Sequence, residues 1–198
     1  MDVIMDRLGI DRTTGVSLLA VLMILNASYG LSRKVLSDST PRRLRILFVW
    51  HAFDFLIHTI FEGSFLYNCF FTSVPFDPAI HSPVTVTNFL GKPDRLYGAA
   101  YGDNWATNLW MVYAQADKRW AGADLTVISL ELLTVFGAGP LALYICRGIQ
   151  TKDFMVSFWM IILATAELYG GKSCWWLSTV ISVSSRLFLC TAYSLTRG

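Results

Sequence analysis

The chain reads as an all-α, polytopic membrane helix bundle of about five transmembrane helices, forming one membrane domain over residues 1–198. Three observations predict this. Residues are 54% hydrophobic, 14% aromatic and only 15% charged, against about 25% charged in a typical soluble domain. Apolar runs approaching or reaching the roughly 20 residues needed to cross a bilayer recur along the chain. Within those runs the few ionisable residues fall at helical spacing rather than at random. The formal net charge of +2 is too small for an electrostatic nucleic-acid footprint, so no nucleic acid is expected as a partner.

Taken in order, the first span covers about Gly15 to Leu31 (GVSLLAVLMILNASYGL). The charged N-terminus before it is followed by no small-residue cleavage site, so this run is read as a span and not as a signal peptide. The second covers about 46–71. The third runs from about Leu125 to Cys146, with Glu131 as its only charge, and the fourth from about Phe154 to Gly170, with Glu167 as its only charge. A fifth, about Cys174 to Leu195, is interrupted by Arg186 and rich in Ser and Thr. Between spans two and three lies a long loop, about 72–123. Pro75, Pro78, Pro83 and Pro93 keep its first half from being regular helix. Its second half, Asp103 to Trp120, is aromatic and amphipathic and is expected to form an interfacial helix or a lid. Arg33, Lys34, Arg42, Arg43 and Arg45 between spans one and two, with Arg147 and Lys152 after span three, place those connections on the cytoplasmic side. The four cysteines are scattered, without metal spacing, and read as buried thiols.

The second span carries the chemistry. ILFVWHAFDFLIHTIFEGSFLYNCFF contains His51, Asp54, His58 and Glu62, which at 100° per residue fall within an arc of about 80°. Ionisable groups are costly in hydrocarbon and face a bundle interior or a wet cavity. Such a stripe points to intramembrane proton chemistry or ligand binding. His58 and Glu62, spaced i and i+4, are neighbours on the helix surface. They can hold a proton for general acid–base work, or simply hydrogen-bond between packed helices. His51 and Asp54, nearer the basic loop, read as mouth or structural residues. Glu131 lies in mid-span with Thr134 one turn on, and needs a partner that the stripe can supply. Glu167, near a span end, is read equally as an interfacial, snorkelling carboxylate or as a catalytic one. His51, His58 and Glu62 extend over about 16 Å at 1.5 Å per residue, too far for one ion. No metal and no cofactor are therefore expected. The surrounding Trp50, Phe53, Phe55, Phe61 and Phe65 could hold a cation over an aromatic face.

Four segments then resemble one family. FLIHTIFEGSF (55–65), LWMVYAQADKRW (109–120), LELLTVFGAGPLALY (130–144) and AELYGG (166–171) are similar, in order, to signature segments of the emopamil-binding protein (EXPERA) family. The resemblance covers about 46–171. Gly171 stands where the family has an aspartate, and residues 172–198 read as a divergent C-terminal tail. The resemblance implies a five-span, multi-pass protein of the endoplasmic reticulum membrane that shifts a sterol double bond from Δ8 to Δ7. It implies His58, Glu62 and Glu131 as catalytic residues, and Thr134, Trp110, Tyr113, Phe65 and Tyr169 as substrate-binding residues. It further implies a sterol-like or polycyclic lipid substrate and cationic amphiphilic amines as inhibitors, and leaves a homodimer open. Two other readings stay open: an isomerase, cyclase or epoxide-opening enzyme of secondary metabolism, and a non-catalytic sterol- or amine-binding protein.

Overall fold

A computed structural model of the chain describes residues 12–81 and 89–171. Five helices dominate: α1 (Arg12–Val35), α2 (Arg42–Phe71), α3 (Trp105–Ala116), α4 (Leu125–Thr151) and α5 (Val156–Gly171). The stretches Gly15–Val35, Arg42–Phe71 and Leu125–Thr151 are each long and apolar enough to cross a membrane, and Val156–Tyr169 is a shorter apolar helix. The protein is an all-α membrane helix bundle. The expected fifth span, about 174–195, lies outside the described residues.

Local sequence sets the helix boundaries. Pro41 precedes α2, with its missing N–H at a position that needs none. Asp124 starts α4 by accepting from the backbone N–H groups of Thr126 and Val127, both at 3.0 Å. Asn104 and Thr107 close a reciprocal capping box on α3. Lys152 ends α4 in the left-handed conformation, φ 57°.

In α2 and α4 the α-helical ladder is interrupted by one π-turn each, His58–Glu62 and Thr134–Ala138. The two π-turns pack against each other. Helix α2 is central, lying against both α1 and α4, while α5 packs on α4. Leu18, Leu19, Leu22 and Met23 on α1 are more than half exposed, as expected of a lipid-facing surface.

The long connection is more structured than the sequence reading allowed. Its first half folds back on itself as a short antiparallel ladder, β1 (Ser73–Pro75) with β2 (Arg95–Tyr97), in the register Ser73 to Tyr97. Three-residue strands fall below what residue alternation can reveal. Gly98 follows with φ 127°, and a Cβ there would sit 2.6 Å from the Gly122 backbone, so only glycine fits. Helix α3 forms where expected, and its inner face is buried through Ala106, Leu109, Trp110 and Ala114.

Two apolar clusters result. One gathers Phe61, Phe65, Trp110, Val127 and Ile128 beneath the long connection. The other gathers Phe48, Ala52, Ala142, Ile145 and Leu163 toward the opposite end of the bundle. The polar stripe of α2 crosses the boundary between them.

Candidate functional site

His58 is the hub of the site. It is 7% exposed, inside the π-turn of α2. Its Nδ1 lies 2.6 Å from Glu62 Oε2, a short contact of the charge-assisted kind. Its Nε2 lies 3.4 Å from Asp54 Oδ1, within ion-pair distance. The i, i+4 spacing on one face makes both contacts possible from a single helix.

Glu131 reaches the same place from α4 and is 8% exposed. Thr134 Oγ1 lies 3.1 Å from the Glu131 carbonyl oxygen and 3.2 Å from Glu131 Oε2, and shares its one proton between them. The Glu62 and Glu131 carboxyls lie within hydrogen-bonding reach of one another. A hydrogen bond between two carboxyl groups requires that one of them carry the proton. Gly139 lets the two helices approach, since a Cβ there would lie 3.4 Å from the His58 Cβ. The expected convergence of His58, Glu62, Glu131 and Thr134 is thus present in the structure.

The predicted aromatic residues divide. Phe65 is fully enclosed and Trp110 is 3% exposed. Their rings meet edge to face at 5.2 Å, and Trp110 stacks on Trp120 at 5.0 Å. Trp110 Nε1 donates to Ser64 Oγ at 3.0 Å, tying α3 to the turn that follows Glu62. Phe65 and Trp110 are therefore packed together in the apolar cluster beside the turn that follows Glu62. Tyr113 rings against both Trp110 and Trp120. Desolvation of its hydroxyl, and secondarily the Glu62 charge, push its phenol above the ordinary value. Tyr169 lies two residues beyond Glu167 on α5 and is 75% exposed.

The sequence reading gave Asp54 and Glu167 too small a part. Asp54 joins His58 directly, and the Glu167 carboxyl on α5 comes within hydrogen-bonding reach of Asp54. The signal for Glu167 was its being the one charge in an apolar run, which calls for a partner. His51 is 6% exposed and its Nδ1 has no hydrogen-bond partner among the described residues. A groove of about 570 Å³ between α1, α2 and α4 has apolar walls that include Val35, Phe48 and Phe55. None of these acidic or histidine residues lines it.

Residues 105–196 match the family model of EBP, described as EXPERA (EXPanded EBP superfamily). That segment, a little under half of the chain, resembles an EXPERA domain. The match takes in Trp110, Tyr113, Glu131, Thr134 and Tyr169, and runs on through residues 172–196 beyond the four resembling segments. Over 180 residues the chain is 22% identical to an Arabidopsis thaliana protein named "Probable 3-beta-hydroxysteroid-Delta(8),Delta(7)-isomerase", covering 76% of this chain and 69% of that protein. It is 24% identical over 156 residues to "Protoglabretal synthase MOI1" of Citrus sinensis, covering 79% of this chain and 59% of that protein. The relatives to which the chain is similar thus include one named as a sterol isomerase and another named as a synthase.

Proposed function

We propose that this protein is a membrane isomerase that moves a ring double bond of a sterol-like lipid from Δ8 to Δ7. One member of the Glu62–Glu131 pair, as the acid, donates its proton to one alkene carbon and leaves a carbocation on the other. The second, as the carboxylate, removes a proton from the carbon adjoining the cation, and the new double bond forms there. One proton enters and one leaves, so the substrate's formula is unchanged and the pair ends with the single proton it began with. His58 aims Glu62 through Nδ1, and Thr134 aims Glu131. The observation that carries the reading is the meeting of two carboxyls from two different helices in a buried, aromatic-backed place. The similarity to a named sterol isomerase supports the substrate class. A cation held between carboxylates and rings also accounts for cationic amphiphilic amines as inhibitors. We place the activity in the endoplasmic reticulum membrane, as the family resemblance implies.

The similarity to a protoglabretal synthase supports a second reading, in which the same acid–base pair acts on another polycyclic lipid. Complementation of a strain lacking Δ8–Δ7 sterol isomerase, with sterols read by mass spectrometry, separates the two. Δ7 sterols formed by the wild type, but not by Glu62→Gln or Glu131→Gln at equal expression, are the expected result. No conversion by well-expressed wild type would count against the sterol and favour the second reading. Amine binding that survives both substitutions, with no product from any lipid tested, would leave only a binding role.

A further inference from the structure

We propose that Asp54, His58 and Glu167 form a divalent transition-metal site of the zinc class, adjoining the Glu62–Glu131 pair. One ligand atom from each residue lies within 4.8 Å of the other two, drawn from α2 and α5. One imidazole and two carboxylates make a mixed nitrogen–oxygen set that suits zinc and its first-row neighbours.

A second observation points to a ligand. The His58 side chain is 9% exposed, yet its Nε2 has no hydrogen-bond partner among the described residues, nor do the buried Asp54 Oδ2 and Glu167 Oε1. Nε2 faces Asp54 Oδ1 at 3.4 Å, an ion-pair distance longer than a well-formed hydrogen bond. That spacing suits two ligands of one ion. With metal–nitrogen and metal–oxygen bonds of about 2.0–2.1 Å, neighbouring atoms around a tetrahedral centre stand about 3.3–3.4 Å apart. Protons alone would need two places, one on Nε2 toward Asp54 and one shared by Asp54 and Glu167, whereas a single cation takes in all three.

The outer contact is of the kind metal-bound histidines make. Nδ1 is committed to the Glu62 carboxylate at 2.6 Å, which fixes the tautomer so that Nε2 presents its lone pair. Three protein ligands leave a fourth position for water. The bound ion would hold the His58 ring still and so hold Glu62 toward Glu131.

The test uses the full chain in detergent, stripped with a chelator and re-equilibrated with zinc. Metal content is read by mass spectrometry, affinity by competition with a chromophoric zinc indicator, and the ligand shell by zinc-edge X-ray absorption. The expected result is one zinc per chain in a nitrogen–oxygen shell that contains one imidazole. Asp54→Asn and Glu167→Gln should each weaken binding at least about tenfold, with Glu62→Gln weakening it about 10- to 100-fold through the outer contact. No zinc retained by the folded wild type, sulfur in the shell, or unchanged affinity in the Asp54→Asn/Glu167→Gln double variant would each overturn the site. The absorption spectrum of the wild type decides even where a variant does not fold. These readouts involve no lipid, so failure here leaves the isomerase reading standing, and the reverse also holds.

Discussion

Replacing Glu131 by Gln removes a titratable proton while leaving the wall of the site in place. The side chain keeps its length, and its carbonyl can still accept from Thr134 Oγ1, which now lies 3.2 Å from the carboxyl. The new amide can donate to Glu62. What is lost is the proton exchange between the two side chains. A positioned acid or base contributes about 10²–10⁴ in rate, equivalent to about 2.7–5.4 kcal/mol of barrier at 1.36 kcal/mol per decade. Thr134→Val removes only the aiming hydrogen bond, worth about 1.5–3 kcal/mol where a charged group is involved. Turnover should therefore rise in the order Glu131→Gln, Thr134→Val, wild type, with the substrate concentration at half-rate little changed. Initial rates of sterol conversion in proteoliposomes, read by mass spectrometry, give the numbers, and size-exclusion profiles confirm folding. A folded Glu131→Gln protein turning over within about threefold of wild type would show that Glu131 moves no proton, since acid–base roles cost far more than that.

Other consequences follow from the loops. Gly98→Ala should lower stability by more than about 2 kcal/mol, because the backbone is held at φ 127° and the new methyl would meet Gly122; a melting temperature equal to wild type in detergent would contradict the close approach. Lys152→Gly should raise stability by about 0.5–1 kcal/mol, because glycine adopts the left-handed cap of α4 without the Cβ penalty, and a melt that falls would show that the lysine side chain outweighs the strain. The Arg119 guanidinium, hydrogen-bonded to Asp117, holds that carboxyl below the usual carboxylate range. The folded value is depressed, so the contribution to stability is present above the ordinary value near 3.8 and is lost as pH falls through the lowered one. NMR of the Asp117 carboxyl should show its midpoint rising in Arg119→Gln, and an unmoved midpoint would exclude the ion pair as the cause.

Much of this arrangement is legible in the sequence because hydrocarbon makes polar residues conspicuous. Glu131 alone in one apolar run, and His58 with Glu62 in another, can be paired on cost alone before any coordinates. Two features are not legible. The arc of the α2 stripe assumes a constant 100° per residue, and the π-turn at His58–Glu62 breaks that assumption at the site itself. The direction of Glu62 relative to Asp54 is thus a property of the fold and not of spacing. The second is the third helix of the site. Glu167 lies 105 to 113 residues beyond Glu62 and Asp54 in the chain, and although a lone charge in an apolar run calls for a partner, nothing in local pattern names Asp54 as that partner. The β1–β2 pair escapes for a simpler reason: three residues per strand give no alternation to read.

The two nitrogens of His58 bear on whether the ring relays protons or aims a carboxylate. A relay would take a proton from Glu62 at Nδ1 and pass it from Nε2 to Asp54 or Glu167, away from the place where Glu62 meets Glu131. The proposed isomerisation needs no such exit, because the proton donated to the alkene is matched by the one removed beside it. Aiming uses Nδ1 alone and leaves Nε2 for whatever the Asp54–Glu167 side supplies. The geometry therefore favours His58 as a positioning residue whose two faces serve different neighbours. On that view Asp54 and Glu167 influence turnover only through the orientation of the ring. Their neutral variants should slow the reaction less than Glu62→Gln or Glu131→Gln, and by an amount that tracks the metal content of the chain.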